Sequence, residues 1–194
     1  MTHPPLEWLF GMKFNPLTRG VVRPCSRGAA REKHDQGVLY GVLLRRSDTG
    51  VPVAAADLAP GRPSAFVQLF DEHGRTVLTH SFVPSRLRPG QLWLDHVRFV
   101  EYDAGPAGGD DDWAVNESWA TKEDGTIFLA IDDRRAGTRR EKQGTRDPAL
   151  LERGYEPAPE FGDYASLFRV HRDRGVDEQG PGSAAEAARR TPVA

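Results

Sequence analysis

Cysteine is almost missing from this 194-residue chain. Cys25 stands alone, so neither an intrachain disulfide nor a multi-thiolate metal centre can be built from it. Isoleucine occurs only at Ile127 and Ile131, and four lysines stand against 22 arginines. That bias points to a GC-rich, bacterial coding sequence and carries no chemistry. Nowhere does an apolar run approach the roughly 18 residues that a membrane-crossing helix needs, so no membrane partner is expected. The opening "MTHPPLEWLFGMKF" has no basic leader followed by an apolar stretch, unlike a secretory signal. With the single thiol, this predicts a cytoplasmic protein in a reducing compartment. A formal charge of −2 and a pI near 6.3 supply no excess positive field, which disfavours nucleic acid as a partner. There is no G-x-S-x-G elbow, phosphate-cradling glycine loop or dinucleotide fingerprint, and no cofactor is expected.

What is present suffices for a core. Leu, Ile, Val and Phe make up 42 of the 194 residues, above the level of about 20% below which chains tend not to fold. Three polar corners ending in glycine recur between β-rich runs: "SDTG" at residues 47–50, "DEHG" at 71–74 and "KEDG" at 122–125. Asp or Ser suits the start of a type I turn, and glycine takes the positive φ that restores strand pairing, so each corner predicts a hairpin. Further runs at residues 91–102 and 163–172 bring the expectation to about eight strands. The fold expected is a mainly β antiparallel sandwich or barrel. One short helix is expected in "DPALLERG", with Asp147 as N-cap, Pro148 at the first helical position and Gly154 past the end. Residues 5–12 suit a strand or a helical turn equally. The single domain is expected to span residues 1–172, with a disordered tail over 173–194, which has few apolar residues to offset ordering entropy. Two long polar loops are expected, at residues 103–112 and 132–146.

The candidate chemistry is dispersed. Asp71, Glu72, His73 and His80 fall within ten residues, but the corner at Gly74 accounts for Asp71 as its hydrogen-bond acceptor and puts His73 at an exposed tip. His80 alternates with Leu78 and Phe82 on an apolar face. In "QLWLDHVRFVEY" strict alternation sets Asp95 among Trp93, Val97 and Phe99, where an unpaired carboxylate is costly. Either a bulge at Asp95 and His96 turns the acid away, or a partner holds it. The spacings of His34, His80 and His96 match no short ligand motif, and Asp110, Asp111 and Asp112 lack the alternating ligands of a calcium loop, so no metal is expected. Cys25 lies between Arg23 and Arg27 without the strand that leads into a nucleophile. Arg19, Arg23, Arg27 and Arg31 recur every four residues, but Gly20, Pro24 and Gly28 argue against a helix there. Arg134, Arg135, Arg139, Arg140, Lys142 and Arg146 face a single acid, Glu141, in a stretch expected to be a mobile loop suited to an acidic partner.

In residues 41–58, Thr49, Gly50, Pro52, Val53 and Ala56 fit a T-G-x-P-V turn followed by a small-residue strand. "DEHGR" at 71–75 and "RPGQLWL" at 88–94 follow. This pattern resembles the opening of transthyretin-like and carboxypeptidase-regulatory-like β-sandwiches over some 55 residues. The resemblance implies a β-sandwich. The paired Tyr and His ligands of related iron dioxygenases have no counterpart here to carry over.

The function expected is non-catalytic binding or assembly, with charged loops contacting a protein partner or another subunit in a homo-oligomer. The alternative is a small-ligand or metal-dependent enzyme site around Trp93, Asp95, His96 and His80.

Overall fold

The computed structural model describes residues 5–103 and 112–170. The expected tail over 173–194, Asp110, Asp111 and most of the 103–112 loop lie outside the described residues. The elements, in order, are β1 (Leu6–Gly11), β2 (Lys13–Asn15), β3 (Gly20–Val22), α1 (Arg27–Asp35), β4 (Tyr40–Arg46), β5 (Pro52–Ala59), β6 (Ser64–Phe70), β7 (Thr76–Pro84), β8 (Gln91–Tyr102), β9 (Trp113–Thr121), β10 (Thr126–Asp133), β11 (Thr138–Thr145), α2 (Pro148–Leu151) and β12 (Tyr155–Pro157). The chain is mainly antiparallel β, as its alternating runs and glycine corners predict. No helix among the described residues is long and apolar enough to cross a membrane.

One large sheet runs β1-β4-β5-β6-β7-β8-β9-β10-β11, so from β4 onward the chain folds back and forth on its own neighbour. β8 is long enough to hold two partners along one side, with β9 on its second half and β12 on its first. β2 and β3 form a separate hairpin. The three corners form as their chemistry dictates: Gly50, Gly74 and Gly125 take φ of 71°, 74° and 89°. The Asp71 carboxylate accepts from the backbone N–H of His73 and Arg75 at 2.9 and 2.8 Å, occupied in shaping the turn.

Between Ser81 and Phe82 the pairing steps from His96 to Leu94, leaving Asp95 as the extra residue of a β-bulge. The bulge corrects the strict alternation expected across β8. Leu92 and Leu94 before it and Val97 and Phe99 after it belong to one core, while Trp93 faces the other way. That main core draws on β1 and on every strand from β4 to β10, and Tyr164 and Leu167 pack into it near the chain's end. Few described elements lie outside the sheet, so burial of Phe99, Trp119 and Leu129 requires the sheet to bend around its own apolar face. The β2–β3 hairpin covers part of the opposite face, where Phe14 packs with Leu43, Ala55 and Phe70.

Three expectations are corrected. A helix does form at α1: Ser26 caps it by accepting from Ala29 N–H, and Gly28 falls in its first turn, where its cost is small. Arg19 and Arg23 stay outside that helix, with positive φ. The expected strand at 163–172 is instead a succession of turns over its described part, because Tyr164 and Leu167, three residues apart, both point inward. The expected mobile loop at 132–146 is mostly the end of β10 and the whole of β11, paired from Asp133↔Thr138 to Thr126↔Thr145. Its alternating apolar signal is absent because β11 is an edge strand exposed throughout.

A candidate binding cleft at the open edge of the sheet

The four residues expected around one pocket in and beside β8 are spread over two faces. His80 lies in the sheet's apolar core, paired with Val67 and Val97 and meeting the Phe82 ring edge-on at 6.0 Å. His96, paired with the neighbouring Ser81, lies on the opposite face, where burial holds its imidazole below the usual histidine range. Trp93 is sealed: its indole N–H donates to Thr121 O at 2.7 Å and its ring packs on Tyr155 at 4.8 Å. Asp95 occupies the bulge. Among the described residues, no three His, Cys, Asp or Glu side chains gather as they would around a metal.

The arginines of the β10–β11 hairpin are partly engaged within the molecule. Arg134 stacks over the Trp113 ring at 3.6 Å. Arg135 bridges Glu101 and Asp103, each at 2.6 Å. Arg139 pairs with Glu141 on its own strand at 2.9 Å, and Arg140 is exposed beside it.

A cleft of about 500 Å³ opens elsewhere, lined by Trp8, Leu9, Phe10, Val21, Pro24, Cys25, Arg27, Gly162 and Tyr164. Each wall has a local origin. β1 supplies alternating apolar side chains, with Phe10 buried in the main core and Leu9 packed against the cluster behind the sheet. Pro24 ends β3's extension and leads through Cys25 to the Ser26 cap, so that Arg27 begins α1 at the rim. The turn at Gly162, with φ of 94°, brings Tyr164 inward.

The floor is tied down by a chain of polar contacts. The Tyr164 hydroxyl meets that of Tyr40 at 3.3 Å, and Tyr40 meets His34 Nδ1 of α1 at 3.0 Å. Burial, together with the neighbouring Tyr164, raises the Tyr40 phenol far above its ordinary range, so it is a neutral hydrogen-bonding group at any physiological pH. Trp8 leans on Tyr164 and stacks with Phe168, yet remains 42% exposed. The cleft thus has an aromatic floor, a thiol at Cys25 and one cation at its rim. Aromatic faces beside a guanidinium can hold a flat or apolar group that carries negative charge.

Arg27 and Cys25 stand out in the sequence only as members of an arginine-spaced stretch, and nothing local in "LEWLFG" or "EFGDYA" marks Trp8 or Tyr164 as cleft-forming. Compared with known proteins, the chain matches no family model, no curated sequence and no solved structure, so the cleft's chemistry is read from its own geometry.

Proposed function

We propose that this protein is a binding module whose receptor surface is the cleft beside β1, and that it takes an apolar or aromatic group bearing an acidic function. The single observation that carries this is the cleft's lining: Trp8, Phe10 and Tyr164 share it with the guanidinium-bearing Arg27. Aromatic walls remove apolar surface from water and hold flat groups by stacking, while an arginine at the rim favours a carboxylate through charge-assisted hydrogen bonds. This moves the expected binding surface away from the arginine hairpin, where Arg134 and Arg135 already have partners in the fold.

Calorimetric titration with 2-naphthoate, a flat aromatic carboxylate, tests the proposal. Trp8→Ala and Arg27→Ala are each expected to weaken binding by about tenfold, the scale of one stacking or charge-assisted contact. His96→Gln and Asp95→Asn, both remote from the cleft, are expected to leave it unchanged. Failure of 2-naphthoate to bind at millimolar concentration, or equal binding by the two cleft variants and the wild type, overturns the reading.

A further inference from the structure

Consecutive residues of a β-strand point to opposite faces of the sheet. The cleft touches Trp8, Leu9 and Phe10 together, and Phe10 belongs to the core on one face while Leu9 packs against the cluster on the other. A cavity reached from both faces of one strand lies off that strand's edge, in the plane of the sheet. That is where a neighbouring strand belongs.

The backbone bears this out. On its inner side β1 pairs with β4 along its whole length. On its outer side Met12 N–H donates to Val22 O at 2.7 Å, and Phe10 C=O accepts from Cys25 N–H at 2.9 Å. Even-numbered residues of β1 therefore direct their backbone groups outward, and Trp8 and Leu6 follow by the same alternation. Cys25 is in effect a one-residue antiparallel strand on this edge. One more extended residue or two would place the chain opposite Trp8, but Ser26 caps α1 and the backbone turns away. Among the described residues no strand lies opposite Trp8 or Leu6.

The two edges of the sheet are treated differently. β11, the far edge, carries Arg139, Arg140, Glu141 and Lys142 in succession, a run of charge that discourages strand addition. β1 carries one charge, Glu7, which Arg45 of β4 neutralises at 2.7 Å, while Leu6 and Trp8 stand exposed.

We propose that a protein partner docks an extended segment here, adding to β1 as an antiparallel strand opposite Trp8 and Leu6. An aromatic or large apolar side chain of that segment enters the cleft, and an acidic group meets Arg27. This deepens the reading of the cleft as the receptor surface and rests on it. Main-chain bonding supplies affinity in such complexes, and the side-chain pocket supplies selectivity. Charge complementarity favours an acidic partner, since Arg27 is the one cation among the residues that line the cleft.

The test uses the full chain and a nine-residue synthetic peptide of alternating threonine and phenylalanine with one aspartate near an end. Two copies carry N-methyl groups on alternate amides, one set per copy. The parent peptide is expected to bind, one methylated copy to lose about tenfold or more in affinity, and the other to match the parent, because only every second amide faces β1. Leu6→Pro removes one outward N–H without disturbing the β4 side, so it is expected to weaken the peptide and spare 2-naphthoate. Equal binding by all three peptides, or no peptide binding at millimolar concentration while 2-naphthoate still binds, overturns strand addition and leaves the cleft reading standing. If neither ligand binds, both fall. A chain that self-associates through this edge, detected as a dimer that Leu6→Pro dissociates, overturns the assignment to a foreign segment.

Discussion

The hydroxyl of Tyr164 meets the hydroxyl of Tyr40 at 3.3 Å, across 124 residues of sequence. This contact joins the last described stretch of chain to the start of the meander, and it sits beneath the cleft. Tyr40 is fully buried and also contacts His34 on α1, so it links three separate parts of the fold. Tyr40→Phe removes both contacts and leaves two polar groups short of a partner. The expected cost is about 1–3 kcal/mol by urea denaturation. Adding Tyr164→Phe to that variant is expected to cost less than it does in the wild type, since the two hydroxyls share one bond. Strict additivity would show that the contact contributes nothing to stability.

Gly154 tests the packing against Trp93 of β8, within the sheet. A Cβ at this position would lie 2.5 Å from Cζ3 of Trp93, and the glycine's backbone is not in the left-handed region, so an alanine there fails on space alone. Trp93 is enclosed by Tyr155 and tied to Thr121, and it has no direction in which to yield. Gly154→Ala is expected to destabilise by about 1–3 kcal/mol, while Trp93→Phe in the same background recovers part of the loss. A thermal midpoint for Gly154→Ala equal to that of the wild type would contradict this packing.

Asp57 accepts from Phe14 N–H at 2.7 Å beneath the β2–β3 hairpin. Burial raises its carboxyl above the ordinary aspartate range, against the opposing pull of that hydrogen bond and of Lys13. A carboxyl whose folded value is raised favours the protonated form, so its ionisation erodes stability as pH climbs from about 4 upward. Asp57→Asn keeps an acceptor oxygen and removes the charge. The variant is therefore expected to gain on the wild type between pH 3 and pH 7, and the difference in unfolding free energy at those two pH values measures it. A difference that does not change with pH would show that Asp57 ionises without penalty.

His96 gives the opposite slope. Burial is the main cause of its lowered value, Asp95 opposes the shift and Arg98 adds to it. A histidine held neutral contributes stability that is complete above the unfolded value of about 6.5 and is lost as pH falls from there through its folded value. The wild type is expected to lose more stability between pH 7 and pH 5 than His96→Gln does. Parallel pH profiles for the two proteins would rule out a lowered value.

Much of the meander was legible from short stretches. Gly50, Gly74 and Gly125 mark corners because positive φ is a property of single residues, and the Asp147–Pro148 start of α2 is local in the same way. Asp95 announced the bulge by misfitting an apolar run, although the alternation around it placed Trp93 on the wrong face. β11 was hidden because an edge strand exposed on both faces has no apolar period to detect. α1 was hidden because Gly28 reads as a breaker until Ser26 is seen to cap the turn that contains it.

The cleft belongs to a different order of information. Trp8, Arg27 and Tyr164 come from three distant stretches, and nothing in the neighbourhood of any one of them names the others. The amino-acid order alone determined that this chain would reverse at glycine corners into antiparallel strands, because turn geometry is settled within four or five residues. Only the tertiary structure decided that, among the described residues, no strand lies opposite Trp8 and Leu6 on β1. That outcome depends on where the backbone leaves the sheet after Cys25 and on where the segment carrying Tyr164 returns to meet it, and both are set by burial between parts of the chain far apart in sequence.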